Sequence, residues 1–178
     1  MGIGLSAAAG FRVFIPFLIM GLASKCGLME PPKDFSWIVS WPAIVAFATA
    51  TCFEVFAYYI PFVDNLLDSI ATPAAVVAGV IVSYVAAEDM HPLFQWGVAL
   101  IGGGGASSVV QIGTITVRGM STATTAGIGN PLVSTFEAIA ASALSILAII
   151  IAPLAFVIVC FIIYKIINKR KKMSIYKT

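Results

Sequence analysis

The chain has 178 residues, room for one domain, of which 60% are hydrophobic and only 10% charged, with a net charge of +2. Ordinary soluble domains carry roughly a quarter charged residues, and a water-soluble fold of this size has too little interior to hide so much apolar surface. That excludes a soluble enzyme or binding module and points to an all-α, polytopic bundle of membrane-spanning helices.

A spanning helix needs about 20 mostly apolar residues, and five runs nearly free of charge qualify. Residues 4–22 form the first, interrupted by Arg12. Residues 41–63 form the second, with Glu54 its only charge, and Ser40 ahead of Trp41-Pro42 marks its start. Next, Val63, Leu66, Leu67 and Ile70 recur at helical spacing while Asp64 and Asp68 fall four apart on the other side. This predicts a short amphipathic helix in the interface, its aspartates either a solvated face or a cation site.

Residues 72–87 form the third run, started by Thr72-Pro73. His91 beside Pro92 reads as a loop residue. Residues 92–117 form the fourth run and contain Gly102-Gly103-Gly104-Gly105, a poor helix interior. Such a run reads either as a broken or re-entrant helix or as a face where another backbone comes close. Residues 132–164, after Asn130-Pro131, form the fifth, with Glu137 its only charge. As one helix it would reach roughly 50 Å against a hydrocarbon core of about 30 Å. It therefore tilts, kinks at Pro153, or begins outside the hydrocarbon.

From Lys165 onward there are six basic and no acidic residues. A basic flank directly after an apolar run belongs on the cytoplasmic side, so residues 1–164 read as a transmembrane domain and residues 165–178 as a basic cytoplasmic tail. Five crossings then put the N-terminus outside, the Lys25/Lys33 loop inside and the Asp64/Asp68 helix outside. Cys26, Cys52 and Cys160 are too scattered for a disulfide framework. No metal site, cofactor or nucleic-acid partner is indicated.

Ionisable side chains cost several kcal/mol at membrane depth and mark functional positions. Glu54 shares a helical face with Thr51 and Tyr58, and Glu137 shares one with Ser134 on a helix made slim by alanines. Each is a candidate proton or cation site, or else a structural hydrogen bond between helices. Arg12 either snorkels to the headgroups or pairs with one of these glutamates. The stretch from Arg118 to Pro131 holds Ser121, Thr122, Thr124, Thr125 and Asn130, one cation and no anion, and leads into a helix N-terminus. It reads as an anion-favouring loop or as an ordinary polar loop in which Asn130 caps a helix.

The opening Gly4-Leu-Ser-Ala-Ala-Ala-Gly-Phe-Arg-Val-Phe-Ile-Pro16 resembles the start of a bacterial membrane family known as domain of unknown function 4126. So do Glu54 with Ile60-Pro61-Phe-Val-Asp64, and Arg118 through Ser121-Thr122, Thr124-Thr125 and Gly127-Ile-Gly-Asn-Pro131. The resemblance covers nearly the whole chain ahead of the tail. Where the family's pattern has an Asp-Lys pair, this chain has Tyr58-Tyr59. The resemblance implies a bacterial inner-membrane protein and brings no substrate.

Gly4-Leu-Ser-Ala-Ala and Gly105-Ala-Ser-Ser-Val each precede a loop, a proline-marked start and a helix with one glutamate, a weak sign of an inverted repeat. The pattern predicts a small transporter or permease for a small solute or ion. Glu54 and Glu137 would be its proton or cation sites. Arg12, Arg118 and the hydroxyl-rich stretch would contact the solute, with Asp64 and Asp68 in an external vestibule. A homodimer embedded in membrane lipids is compatible with so few helices. The alternative is a non-transporting scaffold that binds lipid or a partner protein, distinguished by glutamates buried against arginine rather than facing a cavity.

Overall fold

The computed structural model describes residues 1–33, 35–60 and 63–175, with the backbone alone at 64, 65 and 170–175. Among the described residues there is no strand; the elements are α1 (Gly2–Phe11), α2 (Ile15–Lys25), a 3₁₀ turn (Ser36–Val39), α3 (Trp41–Ala57), α4 (Val63–Ala86), α5 (Pro92–Gly97), π-helical turns (Val98–Gly104), α6 (Gly105–Thr125), α7 (Asn130–Ile150) and α8 (Ala152–Ile175). Four stretches are long and apolar enough to cross a membrane: Leu66–Ala86, Pro92–Thr125, Asn130–Ile150 and Ala152–Lys169. Phe53, Ile101, Phe136 and Ile139 are exposed on the outside, and serines, arginines and a glutamate are buried within. This is a helical membrane bundle.

The run at 4–22 is not one crossing. Pro16 cannot donate to the carbonyl of residue 12, which a continuous helix would need, but is tolerated in a first turn, so α1 ends with Arg12 extended (φ −146°, ψ 123°) and α2 starts afresh at Ile15. Gly4 lies against Ala148 and Ala155, while Arg12 reaches Ser134. From there α2 returns: Leu22, Ala23 and Cys26 share a cavity wall with Ile146, Ile149 and Ile150. Ten residues of α1 rise about 15 Å, half the length of the 21-residue α7. The first run is thus a hairpin of two half-length helices whose ends lie on the same face of the bundle.

The run at 132–164 also divides. Ile151 leaves the helix (φ −135°, ψ 70°), and Pro153 falls in the first turn of α8, where a missing N–H costs nothing. Ile162 and Ile166 then line a cavity with Val133 and Glu137, so α8 folds back along α7. Of the three alternatives, tilt, kink at Pro153 or a start outside the hydrocarbon, the kink comes nearest, and it is a full reversal at Ile151.

Other boundaries moved as well. Thr72-Pro73 does not start a helix: α4 runs through it, and the Thr72 hydroxyl donates back to the carbonyl of Asp68 at 2.7 Å. The predicted amphipathic helix is the first two turns of α4 from Val63 on; Pro61 and Phe62 lie outside the described residues. Ser40 does cap α3, accepting from the N–H of Ala43 at 3.3 Å. The four-glycine run is neither broken nor re-entrant, because the helix passes through it as π turns packed on α4. The two stretches read as a repeat differ in structure, the first being a broken hairpin and the second part of a continuous helix.

α1 is the centre, packed against α4, α6 and α7. Its composition permits this: Ser6, Ala7, Ala8 and Ala9 are wholly buried, and a Cβ on Gly10 would come within 2.5 Å of the Ser107 carbonyl. Small residues let neighbouring backbones approach on every side. These pairings define two faces. The N-terminal face holds Met1, Lys25, the 3₁₀ turn, and the α4–α5 loop, to which Lys33 is tied by its N–H to Glu88 at 2.9 Å. The tail face holds the ends of α3 and α6 and the starts of α4 and α7, together with the C-terminal end of α8. The Lys25/Lys33 loop therefore lies opposite the tail and Asp68 on the tail's side, the reverse of the sequence expectation for both.

Candidate functional site

The site assembles where the α1–α2 hairpin turns. Because Arg12 is extended, the N–H groups of Val13 and Phe14 find no helical partner there. Glu54, one turn from the end of α3, accepts both: Val13 N–H at 2.9 Å and Phe14 N–H at 3.3 Å. A carboxylate at the N-terminus of α2 also meets the positive end of that helix.

Arg12, 0% exposed, points the other way. One Nη donates to the Ser134 hydroxyl at 2.6 Å and the Ser134 carbonyl at 3.1 Å, and lies 3.1 Å from the Glu137 carboxylate. Glu137 is shared with Arg118, whose Nε donates to Oε1 at 3.2 Å and whose Nη2 donates to Oε2. The other Nη of Arg118 reaches Asp68 at 2.5 Å. Tyr58 closes the assembly. Its hydroxyl donates to Asp68 at 3.1 Å, and its ring centre is 4.3 Å from the guanidinium carbon of Arg12 and 3.7 Å from that of Arg118.

The structure thus gathers five of the predicted residues at the turn: Arg12, Asp68, Arg118 and Glu137 are linked side chain to side chain, and the half-buried Glu54 joins them through the backbone that follows Arg12. Two guanidiniums and three carboxyl groups give this network a formal excess of one negative charge when all are ionised. Glu54 is the carboxylate without an arginine bond among the described residues, and it lines a cavity of about 370 Å³ with Phe53, Leu67 and Ala74. Asp68, expected in an external vestibule, is instead a partner of Arg118. The side chain of Asp64 lies outside the described residues.

The hydroxyl-rich stretch is not the predicted loop. α6 continues through it to Thr125, and only residues 126–129 form a turn, with Ala126 (φ 51°) and Gly127 (φ 88°) left-handed. Its hydroxyls bond inward: Thr124 donates to the carbonyls of Met120 and Ser121, and Thr125 to that of Ser121. Thr125 also accepts the Gly129 N–H at 2.9 Å. Asn130 donates to Thr122 at 2.9 Å instead of capping α7. Arg118 faces the network rather than this turn. The stretch therefore presents no convergent set of donors to an anion.

Sequence reasoning placed Tyr58 only on the face of Glu54 and did not count it in the site. It also passed over a row of buried polar residues on α6, namely Ser107, Gln111 and Thr114 ahead of Arg118. Their spacing of four, three and four is legible in the sequence and marks one face of a helix.

The network draws on α1, α3, α4, α6 and α7, so nearly the whole chain contributes to it. Residues 1–171 match the model of a family described as "Domain of unknown function (DUF4126)". The chain belongs to that family. No curated protein and no solved structure matches it. Membership in DUF4126 brings no activity with it, and function must be argued from the site.

Proposed function

We propose that the protein is a small transporter or permease for a small solute or ion, with the buried network as its proton- or cation-responsive element. The observation that carries this is the odd carboxylate: Asp68 and Glu137 take up the two arginines, and Glu54 is held by backbone N–H groups alone where a half-length hairpin turns. In a bilayer that turn falls within the membrane, on the tail's side of the middle, where discontinuous helices and ionisable side chains mark transport sites. Glu54, held by backbone N–H groups and bordering a cavity, is the member free to exchange a proton without breaking an ion pair.

Sidedness follows from the positive-inside rule. The basic tail is cytoplasmic in a bacterial inner membrane, which puts the network nearer the cytoplasmic face and the mouth of the hairpin outside.

The test is current from reconstituted proteoliposomes after rapid pH and ion jumps, wild type against Glu54→Gln. A wild-type current that Glu54→Gln abolishes, with the melting transition preserved, is the expected result. One observation favours a second reading: Glu137, 2% exposed, is packed against two arginines as a structural brace would be. Currents that survive Glu54→Gln would leave transport standing and remove Glu54 from it, whereas no current in folded wild type would turn the proposal toward a scaffold that binds lipid or a partner.

A further inference from the structure

The network sits closer to the tail face, yet a chain of buried polar groups leads away from it toward the other. Ser107, Gln111, Thr114 and Arg118 share one face of α6, and none is more than 5% exposed. Beyond Ser107, the Ser6 hydroxyl donates to the Gly79 carbonyl at 2.7 Å and meets the Ser83 hydroxyl at 2.9 Å. Ser83 in turn lines a cavity of about 500 Å³ at the N-terminal face, between α1, α4 and the start of α8. Ser107 donates to the carbonyls of Gly103 and Gly104 and Thr114 to that of Gln111, so these groups form a buried polar row rather than a bonded chain. Such a row in a membrane bundle asks for a reason beyond packing.

Three donors on this line lack hydrogen-bond partners among the described residues: Nε2 of Gln111, and Nε and Nη1 of Arg12. They belong to one level of the bundle. α1 runs parallel to α6, with Ile3 beside Gly102 and Gly10 beside Ser107, so Arg12 falls alongside the turn that carries Gln111. Buried donors of this kind are satisfied by water, which needs two or more polar partners to stay. Donors alone suit the lone pairs of water and offer nothing to a metal cation. An anion would face the excess negative charge of the network.

We propose that the Ser83–Ser6–Ser107–Gln111–Thr114 seam is a water-assisted proton route from the N-terminal cavity to the Arg12–Glu137 network. This rests on the transport reading and names the coupling species as the proton. The helices flanking the seam pack backbone to backbone, a Cβ on Gly103 coming within 2.5 Å of the Gly79 carbonyl and one on Gly10 as close to the Ser107 carbonyl, which leaves no room for a hydrated ion at those two contacts. Among the described residues, no carboxylate lies along it between Ser83 and Arg118. Arg12 does not bar protons by its charge, because Glu137 neutralises it at 3.1 Å. A proton arriving from the seam binds a carboxylate of the network, and the excess of one negative charge is cancelled.

The test uses the full chain in liposomes loaded with a pH dye, with proton entry driven by a potassium–valinomycin potential. Gln111→Leu is expected to cut the flux at least tenfold while its melting transition stays near that of wild type. In parallel, Gln111→Cys is placed in a chain whose Cys26, Cys52 and Cys160 are serines. A small water-soluble methanethiosulfonate should modify it at least tenfold faster than Ala148→Cys, which is wholly buried in the apolar core. Flux that persists in Gln111→Leu, with Gln111→Cys unreactive, overturns the route and leaves transport standing. No proton flux in wild type overturns the route whatever the cysteine does. If the Glu54-dependent current is absent as well, both readings fall.

Discussion

Arg118 and Glu137, nineteen residues apart on neighbouring helices, meet side-on, with two N–H groups of one guanidinium donating to the two oxygens of one carboxylate. This fork geometry is the strongest pairing the two side chains can make. Burial makes each dependent on the other, because a lone charge left in a dry interior is far costlier than the pair is beneficial. Glu137→Ala takes from Arg12 its carboxylate and leaves Arg118 with Asp68 alone, and should cost about 3–5 kcal/mol. Arg118→Ala should cost a similar amount. Unfolding in mixed micelles of the single and double variants gives the coupling, expected to be at least about 2 kcal/mol. Additive effects would mean that the pair does not brace α6 against α7.

Tyr58 contributes a hydroxyl to Asp68 and a ring to both arginines, and substitution separates the two roles. Tyr58→Phe keeps the ring and loses one hydrogen bond, a cost of about 1 kcal/mol. Tyr58→Leu also loses two cation–π contacts in a desolvated place, roughly 2 kcal/mol more. Equal melting temperatures for the two variants would show that the ring contributes nothing.

The sequence disclosed the bundle and the inward face of Glu137, and it offered Glu137 as one of two partners for Arg12 beside a snorkelling alternative, since a charge in an apolar run has few options. It concealed the hairpins for physical reasons. Two half-length helices of ten and eleven residues add up to the hydropathy of one span. The reversal at Ile151 carries no polar residue to announce it. The stretch from Ser121 to Thr125 looked like a loop because hydroxyl side chains compete with helix in water. In this bundle they bond to carbonyls three and four residues back, which a helix accommodates. Asp68 joins the network through Arg118, fifty residues away, and no local pattern encodes that.

The glycines of the seam differ sharply in what surrounds them. A Cβ on Gly79 would lie 2.8 Å from the Gly103 carbonyl, and one on Gly103 within 2.5 Å of the Gly79 carbonyl, whereas Gly105 faces open space. Gly79→Ala and Gly103→Ala force two backbones apart and should each destabilise by about 1–3 kcal/mol. Gly105→Ala should be neutral, or stabilise by up to about 1 kcal/mol through better helix propensity. Melting curves of the three purified variants decide this, and a Gly105→Ala loss equal to the others would contradict the close approach of α4 to the π turns.

The hairpin predicts a topology that a single crossing cannot produce. If residues 4–22 crossed the bilayer, Met1 and Cys26 would lie on opposite sides. In the hairpin they share a face with Lys33 and Asp89, opposite the end of α8. Cys26 is exposed at the end of α2 and is therefore a native reporter. In oriented vesicles of a Cys52→Ser, Cys160→Ser variant, a membrane-impermeant maleimide should reach Cys26 from the side on which an N-terminal tag is cleaved. A protease site placed after Thr178 should be cut only from the other side. Cys26 labelling from the side of the C-terminal cut would restore the single crossing. Arg12 would then lie within a continuous crossing, and Glu54 would no longer sit at an intramembrane helix break, the position that ties it to transport.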